Sequence, residues 1–290
     1  MTEQSSVDRF GRGPGLFGPH RRSGLREEGA RGALIAFVST VVFIGFVLWL
    51  ILSSDTWPAV QNQFFNWGHF QTAWPAVLSG FWLDIRMFLL AEVLILAIAL
   101  IVAMIRALRG PAFFPLRLLA VTFIDLIRGV PVILLILLLG FGVPALQLPG
   151  VPRSELFWGL TALVISYSAY TAEVYRAGIE SVRESQRMSA RSLGLTQLQT
   201  LRYVLVPQAI RNVIPALLNG FVSLQKDVAL VFVLGVREGV RAAQIYNSRT
   251  FNYTGYIAAT VLFLLVSVPL ARFTDWYTDR DRRRKQAVGG

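Results

Sequence analysis

The sequence predicts an all-α membrane protein with six transmembrane helices and both termini in the cytoplasm. Of its 290 residues, 54% are hydrophobic and 16% are charged, whereas a soluble domain keeps about a quarter of its residues charged. Six apolar stretches are each long enough to cross the hydrocarbon core as a helix, which takes roughly 20 residues. Most of the arginines lie in alternate connecting segments, and this pattern orients the helices.

The six predicted spans follow one another with short connections. They are residues 33–52, 83–105, 118–141, 156–176, 207–236 and 256–272. Gly129 and Pro131 are expected to break the third span, and Pro207 and Pro215 interrupt the fifth, because proline lacks the backbone N–H that a helix interior uses.

The distribution of basic residues predicts which connections face the cytoplasm. The head, the first turn, the long loop and the tail carry 20 Lys and Arg residues; these four segments are residues 1–32, 106–117, 176–206 and 272–290. The other three connections carry four; they are residues 53–82, 142–155 and 237–255. Basic connections stay in the cytoplasm. We therefore expect a disordered basic cytoplasmic head over 1–32, a transmembrane domain over 33–276 and a basic cytoplasmic tail over 277–290.

Several classes of function are excluded by what the sequence lacks. It has no cysteine, and its two histidines are His20 and His69, so we expect no metal site and no catalytic residues. Neither Lys226 nor Lys285 stands in a phosphate-binding G-x-x-x-x-G-K-[ST] loop. The chain is therefore not expected to be an enzyme or to bind a cofactor itself. Its net charge of +11 is explained by orientation and by anionic lipid headgroups, so no nucleic-acid partner is expected.

The loop over about 180–206 carries the strongest local signal. A helical stretch over 185–193 is followed by Gly194, the residue type that adopts the left-handed conformation at a helix end. Thr196 and Gln199 then have the spacing of a capping box that opens a second helix. The sequence predicts a rigid bent loop on the cytoplasmic face, which is either a docking element or a solvated connection.

This loop resembles the EAA loop of permease subunits of ABC importers. The residues that align with the family's pattern are Met188, Ser189, Ala190, Gly194 and Pro207. The family's glutamate is Met188 here and its first alanine is Ser189, whereas the second alanine, the glycine and the proline agree. The departures affect the ion pair that the glutamate would make and leave the corner itself intact.

Five further motifs resemble the polar amino-acid permease family in the same order along the chain. They are the A-Y-T-A-E stretch at 169–173, R-G-V-P at 128–131, L-V-P-Q-A at 205–209, P-A-L at 215–217 and K-D-V-A-L at 226–230. The resemblance covers about residues 80–275 and is close to glutamate-type members. It implies a five-helix type I ABC importer core, to which residues 33–52 add one N-terminal helix.

The resemblance also implies how such a chain works. A permease of this family pairs with itself or with a sister permease in the bacterial plasma (inner) membrane. A separate ATPase subunit binds ATP and Mg and docks on the cytoplasmic loop, an extracytoplasmic solute-binding protein delivers the solute, and alternating access follows. The expected solutes are polar or charged amino acids, with glutamate- or glutamine-like molecules favoured. The expected docking residues here are Met188, Ser189, Ala190, Leu193, Gly194 and Leu195.

Charged residues inside the predicted spans are costly and should face a cavity or a partner. The candidates for a translocation path or gate are Asp125, Arg128, Glu173, Lys226 and Asp227. The pairs Asp125–Arg128 and Glu173–Arg176 each share a helix face and alternatively hold helices together. Lys226 and Asp227 are adjacent, so each is expected to have a separate partner.

The sequence is compatible with two other functions. The chain is alternatively a secondary transporter or channel that uses its buried carboxylates for ions or protons, or an ABC permease for a solute that is not an amino acid. Dependence on an ATPase partner separates the first alternative from the importer. One further expectation concerns Asp84 and Arg86, which lie near the outer end of the second span and are expected to reach lipid headgroups.

Overall fold

A computed structural model describes residues 25–108, 110–182 and 184–288, and these residues form helices joined by short turns. The chain divides into two units, one ending at Val60 and one beginning at Gln61. The α-helices are α1 (Leu25–Leu52), α2 (Trp57–Phe64), α3 (Trp67–Ala107), α4 (Phe114–Gly129), α5 (Val132–Leu137), α6 (Val143–Ala145), α7 (Glu155–Glu180), α8 (Glu184–Ser192), α9 (Gln197–Thr200), α10 (Val206–Asp227), α11 (Gly239–Thr250) and α12 (Thr254–Val288).

Helix α1 forms most of the described part of the first unit. It begins at Leu25, eight residues before the predicted start, so the predicted head overlaps the helix; residues 1–24 lie outside the described residues. None of its described side chains is buried. A helix that is apolar on all sides and has no buried face fits lipid as its surroundings.

Four helices among the described residues are long and apolar enough to cross a membrane, and a fifth crossing results if the bent pair α4–α6 counts as one span. Five of the six predicted spans lie in a helix or in this pair. The fifth, 207–236, runs through α10 and a 3-10 segment, Val228–Leu234, and its last two residues lie beyond that segment. Helix α7, which contains the predicted fourth span, is not among the four. The all-α fold is therefore confirmed, and the number six stays a prediction.

The third predicted span is broken where the sequence indicated. Helix α4 ends at Gly129 and α5 begins at Val132, with the Pro131 ring between them. The helix axis bends by 104° at this break. A π-helical segment, Leu138–Gly142, continues from α5 to α6.

The core of the second unit lies between α3 and α7, with α5 and α10 packed beside them. Its fully buried side chains include Ile95, Ile136, Leu163 and Leu224. Small residues let the helices approach closely, as in other membrane bundles. At Gly178 an added Cβ would lie 1.9 Å from Val213 Cγ1, so α7 and α10 meet there without a side chain between them.

Hydrogen bonds show which connections lie at the same end of the second unit. Asn252 Nδ2 donates to Asn62 O at 2.8 Å, which joins the α11–α12 turn to the end of α2. At the other end, Arg106 pairs with Glu173 at 2.5 Å. Two of the segments predicted to be outside, 53–82 and 237–255, thus meet at one end, and the first basic turn contacts the end of the predicted fourth span at the other.

Helix α12 runs without a break from Thr254 to Val288. The predicted boundary between the transmembrane domain and the tail, at 276–277, therefore falls inside a helix. The apolar sequence ends and the basic sequence begins within this single element, because a helix can leave the bilayer without changing its backbone.

Candidate functional site

The corner of the predicted docking loop is built by a Schellman motif. Gly194 has φ +81°, in the left-handed region that favours glycine. Leu195 N donates to Ala190 O at 3.2 Å, and Gly194 N donates to Arg191 O at 3.0 Å. These two bonds satisfy carbonyl groups that the end of α8 would otherwise leave free, so the corner has a defined geometry.

The capping box after the corner is also present. Thr196 N donates to Gln199 Oε1 at 2.9 Å, and Gln199 N donates to Thr196 Oγ1 at 3.3 Å. The two bonds open α9 in the way that the sequence predicted. The helix–corner–helix arrangement of residues 184–200 is therefore fixed by contacts between neighbours in sequence.

The six predicted docking residues do not share one surface. Leu193 is 83% exposed and Met188 is 64% exposed, and Ser189 and Gly194 are exposed as well. Leu195 is half-buried. Ala190 is 4% exposed and therefore packs inside the chain. We refer to Met188, Ser189, Leu193 and Gly194 as the exposed corner.

The loop is tied to the membrane helices at its start. Asn212 Nδ2 of α10 donates to Ser181 Oγ at 2.7 Å, directly after the end of α7. Ser181 Oγ donates in turn to Gly178 O at 2.7 Å. These bonds and the close contact at Gly178 join the start of the loop to both α7 and α10.

A second candidate site runs along one face of α7. Tyr167, Tyr170 and Glu173 follow one another at intervals of three residues, so they form one row on the helix. Each of them contacts a charged residue of a different helix. We call these three residues the polar row.

The partners of the polar row come from α10, α4 and α3. Tyr167 Oη donates to Asp227 Oδ2 at 2.7 Å. The Arg128 guanidinium lies 5.5 Å from the centre of the Tyr170 ring, and Tyr170 Oη donates to Arg128 O at 3.3 Å.

Glu173 has two arginine partners. It accepts from Arg106 Nη1 at 2.5 Å and from Arg176 Nε at 2.9 Å. Arg176 also pairs with Glu180. The Glu173–Arg176 pair is therefore part of a network that ties α3 to α7, as the structural alternative expected. Because both of its oxygens are occupied, Glu173 is a weaker candidate for meeting solute than its neighbours.

Asp125 and Lys226 have no hydrogen bond or ion pair to another helix among the described residues. Both are exposed. Asp125 and Arg128 do not form an ion pair among the described residues, although they lie on one helix. Lys226 lines a groove of about 570 Å³ together with Val222, Phe263 and Ser267. Asp227 bonds to Tyr167, so the partner expected for Asp227 is present, and a partner for Lys226 stays a prediction.

Comparison with known proteins decides the family. Residues 111–283 match the family described as the binding-protein-dependent transport system inner membrane component. The chain belongs to this family. Its matched region, more than half of the chain, contains both the exposed corner and the polar row.

The permease is similar to curated relatives over most of their length. The probable amino-acid permease protein YxeN of Bacillus subtilis is 33% identical over 210 residues, which are 70% of this chain and 90% of the relative. The probable glutamine ABC transporter permease protein GlnM of the same organism is 34% identical over 187 residues, which are 63% of this chain and 84% of the relative. The resemblance to polar amino-acid permeases is thereby confirmed.

A solved structure extends the similarity to the fold. The crystal structure of an amino acid ABC transporter with histidines superposes with a TM-score of 0.64 at 32% identity, covering 71% of this chain and 94% of that chain. The permease is accordingly a translocation subunit of an ABC importer and not an enzyme. It is a multi-pass protein of the bacterial inner membrane that works with ATPase subunits and a second permease subunit.

The sequence did not single out Tyr167 and Tyr170 as site residues of the permease. The available signal was the spacing Tyr-x-x-Tyr-x-x-Glu, which places three polar side chains on one face of a helix that must be largely apolar. That spacing indicates a polar face on the helix but does not identify the residues of other helices that contact this face. The partners lie 42 and 60 residues away in sequence.

The end of the permease opposite the corner carries a cavity of about 320 Å³ lined by Ser79, Tyr246, Arg237 and Arg249, among others. His69 Nδ1 and Tyr246 Oη are hydrogen-bonded at 2.7 Å beside it. Two arginines at one cavity favour an anionic group there. This end is the one that the arginine distribution predicts to be outside.

The expectation for Asp84 is wrong. Its side chain is 1% exposed and does not reach lipid headgroups, because Asp84 Oδ2 accepts from Gly239 N at 3.1 Å at the start of α11. Arg86, two residues later, is exposed, and its contact with headgroups stays a prediction. Glu238 lies beside Asp84 and is also buried. Burial raises the pKa of Glu238, although the backbone hydrogen bonds that its carboxylate accepts act in the opposite direction.

Proposed function

We propose that the permease imports polar or charged amino acids, glutamate- or glutamine-like molecules above all, driven by an ATPase subunit that docks on the exposed corner. The observation that carries the docking proposal is Leu193, an apolar side chain that is 83% exposed on a corner held by the Schellman motif. An exposed leucine on a rigid polar loop gains free energy when a partner covers it, about 25 cal/mol per Å² of apolar surface.

Rigidity of the corner adds to this argument. A loop that is already ordered loses little conformational freedom on binding, so more of the contact energy appears as affinity. The bonds through Ser181 and Asn212 then carry a displacement of the corner into α7 and α10. In this mechanism the ATPase binds ATP and Mg, and the permease contributes no group to hydrolysis.

The proposed solute path follows the polar row. An amino acid carries a carboxylate and an ammonium group, and the row presents both signs: Arg128 next to Tyr170, and Asp227 next to Tyr167. Asp125 and Lys226 add one charge of each sign, exposed where a second permease subunit or a water-filled path would face them. Small polar zwitterions are matched by such paired charges better than apolar solutes are.

The proposed partner at the outer end is a solute-binding protein. The cavity with Arg237 and Arg249 is positively charged, and complementary charge steers and orients an approaching partner. An acidic surface on the binding protein would be complementary to this cavity.

The docking proposal is tested by Gly194→Asp, with Gly150→Asp as the matched control. Both glycines have positive φ, +81° and +77°, and an added Cβ at either one meets no atom within 4 Å. The two variants therefore impose the same chemical change and a similar backbone cost, on the corner and on a predicted outer loop. The tagged permease is purified from its native membranes in mild detergent, co-purifying ATPase is quantified, and glutamine uptake is measured in the same cells.

We expect Gly194→Asp to lose the ATPase and the uptake while the permease still inserts, and Gly150→Asp to retain both. Normal uptake by Gly194→Asp would contradict the docking proposal. Uptake by a preparation that contains no ATPase would favour a secondary transporter, with Asp125, Glu173 and Asp227 as ion-coupling groups. Uptake of an opine or osmolyte in place of amino acids would contradict the solute assignment alone.

A further inference from the structure

Two buried carboxyl groups meet at the start of α11. Asp84 is 1% exposed and Glu238 is 0% exposed. Asp84 Oδ2 accepts from Gly239 N at 3.1 Å. Glu238 caps the helix, since its Oε2 accepts from Val240 N at 2.8 Å and its Oε1 accepts from Arg241 N at 2.6 Å. The first three N–H groups of α11 are thus all bound to carboxylate oxygens.

The backbone of α3 holds the two carboxyl groups together. An added Cβ at Gly80 would lie 2.5 Å from the carbonyl carbon of Glu238, so α3 and the start of α11 touch without an intervening side chain. An added Cβ at Gly239 would lie 3.0 Å from Asp84 Oδ2. These contacts bring both buried carboxyl groups to the first turn of α11.

The positive charge around the pair compensates one carboxylate and not two. A helix N-terminus supplies about half an elementary charge. Arg241 is the charged side chain of α11 that acts on Glu238, but its Nη1 is bonded to Gln244 Oε1. Arg237 faces the outer cavity, and Arg86, the next charge on α3, is exposed.

The other elements packed against α11 bring no further cation. The segment Val228–Leu234 contains no charged residue. Helix α12 has no charged residue before Arg272, and its first titratable residue after α11 is Tyr256. A second negative charge in this buried site would therefore be uncompensated, which is costly.

One oxygen of the pair lacks a hydrogen-bond donor. Among the described residues, Asp84 Oδ1 has no donor partner although it is fully buried. A carboxylate only accepts hydrogen bonds, whereas a protonated carboxyl group also donates one. A proton between Asp84 and Glu238 supplies the missing donor and removes the excess charge in one step.

We propose that Asp84 and Glu238 form a proton-binding site that holds one proton at neutral pH and fastens α11 to α3. The ligand is a proton and not a metal ion, because the helix N-terminus that both carboxyl groups face repels a cation. The site is separate from the exposed corner and from the polar row, and it adds a pH dependence that the proposed transport function does not require.

The sign of the pH dependence follows from linkage. The folded permease keeps the proton at a pH at which the unfolded chain has released it, since burial raises the pKa of Glu238. Stability therefore falls as pH rises above the ordinary carboxylic pKa, until the folded pair releases the proton as well. We expect the thermal unfolding midpoint of the detergent-solubilised permease to decline as the pH is raised from about 5 to about 9, since protons bound only by the folded state are then lost.

Infrared spectroscopy of the permease in lipid tests the proton directly. The unaltered protein should show the carbonyl band of a protonated carboxylic acid at neutral pH, and both Asp84→Asn and Glu238→Gln should remove that band. Asp84→Asn keeps an acceptor for Gly239 N and adds N–H donors in place of the shared proton, so it should fold. Glu238→Gln keeps one acceptor oxygen where the glutamate uses two, for Val240 N and Arg241 N, so its unfolding midpoint should be lower at every pH. Both should also flatten the decline of the unfolding midpoint with pH. Glu155→Gln, at an exposed carboxyl group of α7, is the control and should leave the decline unchanged.

Three results would overturn the proposal. One is the absence of any protonated carboxyl band from the unaltered permease at neutral pH, a measurement that needs no variant. The second is a band that persists in both Asp84→Asn and Glu238→Gln. The third is a stability that depends on sodium or potassium concentration and not on pH, which would assign the site to a metal cation.

Discussion

Tyr167 is the residue in the polar row whose hydroxyl has the best-defined task, because it donates to Asp227 at 2.7 Å. Tyr167→Phe keeps the ring and removes that bond, so a half-buried carboxylate loses its donor, at a cost of about 1–3 kcal/mol. We expect a lower thermal unfolding midpoint and slower amino-acid uptake, both measured on the purified and reconstituted importer.

Tyr170→Phe is the matched control for this change. Its hydroxyl makes a longer bond, 3.3 Å to Arg128 O, on a side chain that is 41% exposed. The phenyl ring still faces the Arg128 guanidinium, so the cation–π contact survives. A larger loss from Tyr170→Phe than from Tyr167→Phe would contradict the assignment of the Asp227 bond as the stronger link.

At this scale the sequence predicts charges better than their partners. Asp125, Arg128 and Asp227 were recognisable because a charge inside an apolar span is conspicuous. Tyr167 was not recognisable, since a tyrosine in a membrane helix is unremarkable until its hydroxyl meets a carboxylate from another helix. Ala190 was assigned to the docking set by its motif, but the side of α8 that packs inside the chain depends on tertiary contacts.

The contact between α7 and α10 depends on the absence of a side chain at Gly178. Gly178→Ala would bring a methyl group to 1.9 Å from Val213 Cγ1. The helices would have to separate, and overpacking of this kind costs about 1–3 kcal/mol. We expect the unfolding midpoint to fall and ATPase coupling to weaken, because Ser181 and Asn212 link the two helices next to this contact.

A second substitution separates this steric cause from a general effect on α7. Val213→Ala removes the atom that clashes, so the double variant should be more stable than Gly178→Ala alone, a non-additive result typical of residues in contact. Gly220→Ala, on α10 with no atom within 4 Å of the added Cβ, should be tolerated. Purely additive losses would show that the two residues do not interact.

Elements that are fixed by neighbours in sequence were predictable, and those that are fixed across the fold were not. The corner at Gly194 and the break at Pro131 follow from backbone rules that act over a few residues. Asp84 and Glu238 meet in the fold although positions 84 and 238 are 154 residues apart in the sequence. From the sequence alone, Asp84 is expected near the outer boundary of the membrane. Helix packing, and not local propensity, decided its surroundings.

For the whole molecule, the pattern of arginines and the pattern of contacts agree on which connections share an end. The first basic connection contacts the end of the predicted fourth span through the Arg106–Glu173 pair, and two connections poor in arginine meet through Asn252 and Asn62. The contacts alone carry no information about which end faces the cytoplasm. The orientation rests on the charge asymmetry, and it decides whether the exposed corner can reach an ATPase.

The absence of cysteine makes this orientation directly measurable, because a single introduced thiol is the only one in the chain. Ser185→Cys on α8 and Ser248→Cys on α11 are matched, since both serines are exposed and each change replaces one atom. A membrane-impermeant maleimide should label Ser248→Cys in intact spheroplasts and Ser185→Cys only after the membrane is opened, because basic loops stay in the cytoplasm. The reverse pattern would place the exposed corner outside, beyond the reach of any ATPase, and would refute the proposed docking together with the orientation.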